Sequence, residues 1–352
     1  VALSDGRLLA WRFASQGLAH RASRSLVHAA AGAAGLQAQD TAAVRLAARA
    51  RSRILDVDGV RQDCARPRTV VRTWLMRGTL HLVPAADVRW MLALLGPRNV
   101  AGGAGRRAQL GLDDATCRAA LVALPEILSG GSALSRAELV ARLARRGVTI
   151  DASGQAPAHL VGYAAAHGVI CRGPDLARDE PGYVLLDDWA PVGSAAAMGS
   201  AVGAAELARR YMAGFGPATA ADFAAWSGLP AGAARQAFTM LSDELTAVGE
   251  GMFAVAGAAP PPDDAPPVVR LLGAYDTYVL GYRTREPALD PVYAKRIQAG
   301  GGVIHPTVVV DGRIAGRWRL RRSRVGGEVH VEPFGPALSG LTDQLAEEAA
   351  DL

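Results

Sequence analysis

Apolar and polar positions recur along the chain in one repeated order: a helix, a second helix, a turn, a third helix, then a short two-stranded ribbon. The clearest run spans residues 204–255. Ala204–Tyr211 has helical spacing, and Phe215-Gly216-Pro217 interrupts it. Thr219 stands where an N-cap belongs, and Ala220–Trp226 after it brings Phe223 and Trp226 to one helical face. Gly228-Leu229-Pro230 turns the chain, and Pro230 is placed to open the helix Ala231–Leu241. Two short helices about a glycine turn make a helix-turn-helix. Leu245–Val248 and Met252–Val255, joined by Gly249-Glu250-Gly251, then read as the strands of a wing.

An earlier copy opens at Ser135-Arg136-Ala137-Glu138, a capping-box sequence for a helix that Gly147 stops. Pro157–His167 is its next helix, with Val169–Cys171 and Tyr183–Leu186 as wing strands. The first copy is less sharply punctuated. Ala22–Ala34, Thr41–Arg51 and Thr69–Met76 are helical in pattern, and Thr79–Val83 reads as a strand. Ala258–Pro267 has linker composition. Beyond it Val268–Leu272, Tyr278–Leu280, Val303–Val310 and Ile314–Leu320 are strand candidates, Asp311-Gly312 is a hairpin turn, and Ala337–Ala350 is a closing helix. Self-similar copies point to an array of like modules. The expected fold is α+β: three tandem winged-helix modules over 1–110, 111–198 and 199–258, then a β-rich region over 268–352.

Composition narrows the partners. The net charge is +5, and the only lysine among the 352 residues is Lys295, so nearly every positive charge is an arginine. Arginine grips phosphate through two nitrogens and stacks on bases, which suits nucleic acid; GC-rich coding produces the same bias. Cys64, Cys117 and Cys171 are scattered, which excludes a disulfide framework and a four-cysteine metal site. The histidines make no i, i+4 pair. No metal or cofactor is expected. The start lacks a signal-peptide core and no apolar run reaches membrane length, so a cytoplasmic protein without a membrane partner is expected. Serial repeats lessen the need for a dimer, and a monomer is expected.

The most informative short motif is Leu36-Gln37-Ala38-Gln39-Asp40 after Gly35. Glutamines at i and i+2 share a side only on extended backbone. Two converging carboxamides can hold a water by its hydrogens and its lone pair. Neither is a base, so the leaving group must already be activated. An N7- or N3-alkylated purine meets that condition, because its cationic ring departs without protonation, and the enzyme need only place water and stabilise an oxocarbenium-like sugar. Without context, Gln-x-Gln is more often a solvated surface pair.

Context comes from longer matches. Leu36–Gln39, Trp74-Leu75-Met76-Arg77-Gly78-Thr79-Leu80-His81, Gly214–Thr219 with Asp222–Leu229, Leu272–Asp276 with Leu280-Gly281-Tyr282-Arg283, and Asp311-Gly312-Arg313 with Gly316–Arg319 run in a specific common order. In them the chain resembles the AlkZ/YcaQ-like family of winged-helix DNA glycosylases, in the Gln-x-Gln branch rather than the Gln-x-Asp one. The resemblance implies three winged-helix modules in a C-shaped array, a catalytic water positioned by Gln37 and Gln39, and self-resistance by unhooking azinomycin-type interstrand crosslinks. The implied partner is double-stranded DNA carrying alkylated or crosslinked purines.

Strand-cleaving glycosylases commonly form a Schiff base through a lysine. Lys295 has no apolar pocket in its neighbours Tyr293, Ala294 and Arg296, so hydrolysis without strand cleavage is expected. Arg317, Arg319 and Arg321 alternate onto one face of a basic hairpin, with Arg322 and Arg324 near its glycine tip. This hairpin is the candidate DNA contact; a charge-guarded edge strand is the plainer reading. The competing function is a winged-helix transcription regulator without catalysis. Its reading helix would be Ala231–Leu241, which offers mainly Arg235 and Gln236 to bases.

Overall fold

The computed structural model describes residues 3–39, 41–67, 69–176, 180–190, 198–262, 266–323, 326–350 and 352. In chain order its elements are α1 (Asp5–Ser15), α2 (Leu26–Gly32), β1 (Leu36–Gln37), α3 (Thr41–Ala50), α4 (Val57–Cys64), β2 (Val70–Trp74), β3 (Leu80–Pro84), α5 (Val88–Gly102), α6 (Ala104–Gln109), α7 (Asp114–Leu128), α8 (Arg136–Arg145), α9 (Ala156–Ala166), β4 (Ile170–Asp175), β5 (Pro181–Leu185) and α10 (Leu186–Trp189). There follow α11 (Ser200–Phe215), β6 (Ala218–Thr219), α12 (Ala220–Ser227), α13 (Ala231–Met240), β7 (Leu245–Gly249), β8 (Met252–Val255), β9 (Val269–Leu272), α14 (Thr277–Leu280), α15 (Ala294–Ile297), β10 (Thr307–Val310), β11 (Arg313–Ser323), β12 (Gly326–Pro333) and α16 (Thr342–Ala350). They gather into two compact units, one of residues 58–204 and one built from residues 1–57 with 205–352. The first helix-helix-ribbon copy is thereby divided, with α1–α3 in one unit and β2 and β3 in the other.

In the central unit, β2 departs from the sequence reading. The pattern predicts a helix over Thr69–Met76, and the structure has a strand there. It pairs antiparallel with β3 from Val70↔Pro84 to Trp74↔Leu80 and meets β4 at Arg72↔Arg172. Val70, Val71 and Thr73 are β-branched, and strand neighbours on both sides override the local helical spacing. With β5 added, the strands of this unit run β3-β2-β4-β5.

One face of this sheet lies on α7, α8 and α9, where Leu124, Leu139, Leu143 and Leu160 bury with Ile170 and Tyr183. Truncating one of these leucines to alanine is worth about 2–5 kcal/mol. The Ser135–Glu138 capping box forms as the sequence predicts, and Leu134 just before it bridges Tyr183 on β5. α9 is enclosed by α5, α6, α7, α8 and β2. The approach of α5 is close enough that a Cβ on Gly96 would meet the carbonyl of Ala166 at 2.3 Å.

In the other unit, α11, α12, α13, β7 and β8 follow the predicted order, and the two-residue strand β6, which the sequence reading did not include, precedes α12. Thr219 and Asp222 cap α12 reciprocally, and Gly228 ends that helix at φ +80°. The strands run β6-β8-β7. Tyr211, Phe215, Phe223 and Trp226 stack into an aromatic core beneath them.

The C-terminal strands form an antiparallel sheet ordered β12-β11-β10-β9. Asp311 and Gly312 take φ 48° and 86° between β10 and β11, the positive pair a two-residue hairpin requires. Leu271, Val308 and Trp318 bury one sheet face, with Leu345 of α16 packed on it. Three strand and helix limits differ from the sequence reading. Tyr278–Leu280 lies in a helical turn, because the Asp276 carboxylate accepts from the Tyr278 N–H and caps it. β10 begins only at Thr307, after three positive-φ glycines and Pro306. α16 begins at Thr342 rather than Ala337. Among the described residues no helix is long and apolar enough to cross a membrane.

Candidate active site

The Gln37–Gln39 segment is shaped by its approach. α2 ends at Gly32, Ala34 turns at φ 49°, and Gly35 follows at φ 109°, a conformation open to glycine. The Gly35 N–H donates back to the Ala30 carbonyl at 2.8 Å, and the chain leaves as strand β1. The end of α2 is held by α11: a Cβ on Gly214 would meet the Gly32 carbonyl at 2.4 Å. The backbone is extended at Leu36–Gln37, but the strand ends there and Gln39 lies past it in a bend, so the extended stretch does not reach the second glutamine. Leu36 and Ala38 are both buried and anchor the segment. Gln37 is 5% exposed, and among the described residues its carboxamide makes no side-chain hydrogen bond. Gln39 is exposed. Asp40 lies outside the described residues.

The helix that follows is fixed at its far end. Arg51, just past α3, makes a two-pronged pair with Asp276 at 2.9 and 3.0 Å and also donates to Gln16 Oε1 and the Ala47 carbonyl. The two paired side chains are 1% and 0% exposed. Arg49 of α3 donates to the buried Glu348 of α16, which also receives Arg21 at 3.0 Å and lies 3.5 Å from Arg270. Gly273 lets β9 approach α3, since a Cβ there would lie 2.9 Å from that of Leu46. Sequence reasoning assigned Asp276 no role. It caps α14, and its bond to Arg51 joins residues too distant in the chain for any local pattern to signal.

In the central unit His81 is buried on β3. Burial pushes its pKa down to about 3, so the ring is neutral. Its Nδ1 lies 2.9 Å from the Thr79 carbonyl, so Nδ1 carries the proton and Nε2 keeps its lone pair.

The hairpin of β11 and β12 places Arg317, Arg319 and Arg321 on one face, as the alternation requires. The register also sets Glu332, His330 and Glu328 directly opposite them, which the sequence reading missed. Glu332 accepts from Arg317 Nε at 2.6 Å and lies 3.5 Å from Arg296. His330 Nε2 lies 3.0 Å from Glu328. The period-two signal for both glutamates was present in Glu328-Val329-His330-Val331-Glu332 and needed only the pairing register to be read. Arg317, Arg319, His305 and His330 line a cleft of about 690 Å³ on this face. Arg324 and the side chain of Arg322 lie outside the described residues.

Residues 30–352 match the family model of DNA glycosylase AlkZ-like proteins. The chain belongs to the AlkZ-like DNA glycosylase family. It is 28% identical over 347 residues to an interstrand DNA cross-link repair glycosylase of Streptomyces sahachiroi, covering 93% of this chain and 90% of the relative. Its structure is similar to that of the Streptomyces sahachiroi DNA glycosylase AlkZ with a TM-score of 0.83 and 26% identity, covering 100% of this chain and 96% of that one. As a member of the AlkZ-like family the chain is a DNA glycosylase with a mixed helix and sheet fold. Among its described residues no group of three or more histidine, cysteine or acidic side chains is placed to hold a metal ion.

Proposed function

We propose that this glycosylase hydrolyses the N-glycosidic bond of N7-alkylated purines and unhooks interstrand crosslinks of the azinomycin type, with Gln37 and Gln39 positioning the attacking water. The observation that carries the reading is the Gln37 side chain, 5% exposed and with no side-chain hydrogen bond to a described residue. A buried amide of this kind costs stability unless a ligand or water completes it. It sits on extended backbone next to a second carboxamide two residues on. The name of the Streptomyces sahachiroi relative supports crosslink repair as the task.

Tandem winged helices describe the architecture within this reading. The β6-β8-β7 order and the Leu134–Tyr183 bridge support a third strand paired onto each wing. The regulator alternative fits less well. α9, the reading helix of the second copy, is packed on its sides by other helices, and α13 exposes chiefly Arg235 and Gln236. Arg317, Arg319, Arg321, Arg322 and Arg324 remain the DNA-contacting set of this reading, with Arg319 the member set opposite a histidine rather than a glutamate. Lys295 lies exposed on α15, in keeping with hydrolysis without a Schiff base.

The test is base release from a duplex carrying N7-methylguanine or a bis-alkylated crosslink, read as alkali-induced cleavage or unhooking on a denaturing gel. Gln37→Ala and Gln39→Ala are expected to lower the single-turnover rate by about 10²–10³, the loss typical of one preorganised polar group. Duplex binding without base release from either substrate would return the chain to the regulator reading.

A further inference from the structure

Arg172 on β4 is a half-buried guanidinium that makes no ion pair among the described residues. It lies directly between Arg72 of β2 and Tyr183 of β5, each its register partner across the sheet. Its guanidinium carbon is 5.0 Å from the centre of the Tyr183 ring and 5.7 Å from that of Trp74. Among the described residues it makes no side-chain hydrogen bond or ion pair, and its Nε is buried without a partner. Asp175, whose charge favours the Arg172 cation, lies 3.6 Å from Arg72 and is shared between the two arginines. Burial is the main cause that pushes Arg172 down to about 10, and the charges of Arg72 and Arg136 push the same way. Arg136 is the first residue of α8.

Two like charges directly opposite on paired strands destabilise a sheet, and a half-buried charge without an ion pair of its own destabilises it further. Aromatic rings offset part of that cost. They do not use the donors of a guanidinium, which remain directed at whatever lies beyond its edge. We propose that Arg172, with Arg72 and Arg136, forms a phosphate-binding site for the backbone of duplex DNA. The ligand it fits is a phosphodiester: an anion with two oxygens to accept from the planar fork, outside a stack that holds the fork still. The rings fix the guanidinium in advance, so little freedom is lost when it binds. None of these residues belongs to the hairpin. The site rests on the reading of the chain as acting on duplex DNA and adds to it a backbone contact from the central unit.

The experiment measures binding of the full chain to an undamaged duplex over a range of salt, beside thermal unfolding, for wild type, Arg172→Gln and Arg172→Lys. Arg172→Gln should flatten the dependence of log K on log salt by about 1 and weaken binding roughly tenfold at fixed salt. Its melting temperature should stay level or rise, because a half-buried charge has gone. Arg172→Lys should recover the slope and only part of the affinity, keeping charge without the fork. A wild-type slope and affinity in Arg172→Gln overturns the site. Inorganic phosphate that raises the melting temperature of wild type alone, with duplex slopes unchanged, assigns the pocket to a free anion and overturns the backbone contact. Base release is followed separately. Wild type that binds duplex but releases no base defeats the repair reading and leaves the site standing. Base release with an unaltered slope in Arg172→Gln does the reverse.

Discussion

Arg51 is a guanidinium removed from water and Arg172 one that is half-buried, and the two units treat them in opposite ways. Arg51 has every advantage a buried charge can have: a carboxylate held by two bonds, a side-chain amide and a backbone carbonyl. Arg172 has two aromatic faces, two neighbouring arginines and an acid, Asp175, that it shares with Arg72. The first arrangement fixes the chain; removing either partner leaves the other exposed to its full desolvation cost. The second leaves donors unspent, which suits a surface that meets an anion. Burial of charge alone therefore does not separate structure from function. What separates them is whether the protein itself completes the hydrogen bonds.

The comparison breaks first at Asp276. Asp276→Ala strands Arg51 without its carboxylate and should cost about 3–5 kcal/mol in urea unfolding, the range for breaking a buried pair. A loss below about 1 kcal/mol would mean that Gln16 and Ala47 suffice and that the contrast with Arg172 is false. His81 sharpens it next, as a buried base that escapes the problem by staying neutral. Its folded pKa of about 3 lies below the usual 6.5, so the unfolded chain takes up the extra proton as pH falls. The stability linked to His81 is thus complete above pH 6.5 and declines toward pH 3, by up to about 1.4 kcal/mol per pH unit. His81→Gln should reduce that slope by the share of one proton, measured as unfolding midpoints from pH 7 to 4; parallel profiles would show the ring to be protonated in the fold. The smallest effect is expected at the exposed pair. Glu332→Gln should change stability by less than about 1 kcal/mol. It should also tighten duplex binding a few-fold at low salt by freeing Arg317 and Arg296, whereas weaker binding would place the glutamate itself in the DNA contact.

Local chemistry was legible wherever it was punctuated. The Thr219 and Ser135 caps, the glycine at 228 and the Asp311-Gly312 turn are each specified within four residues of chain, and each forms as read. β2 was misread because Val70–Trp74 becomes a strand only by virtue of β3 and β4 beside it. Gln37 and Gln39 were visible as a motif, and the extended backbone that follows Gly35 reaches Gln37 but not Gln39. Arg172 gave no signal at all. Its partners stand at positions 72, 74, 136 and 183, and only the strand register brings them together. The glutamates of β12 lay between: their alternation was readable, their position opposite the arginines was not.

The first 57 residues share a unit with the last 148, so a ribosome delivers the two parts of that unit far apart in time. The central unit has all its own strands and helices as soon as residue 204 is clear. Arg21 and Arg49 must wait for Glu348, and Arg51 for Asp276. Until then the segment carrying Gln37 and Gln39 has an unsecured helix behind it. The fixed position of that helix is accordingly among the last things the nascent chain acquires, and a message cut short before Glu348 yields a protein with its motif intact and the Arg21 and Arg49 ties missing.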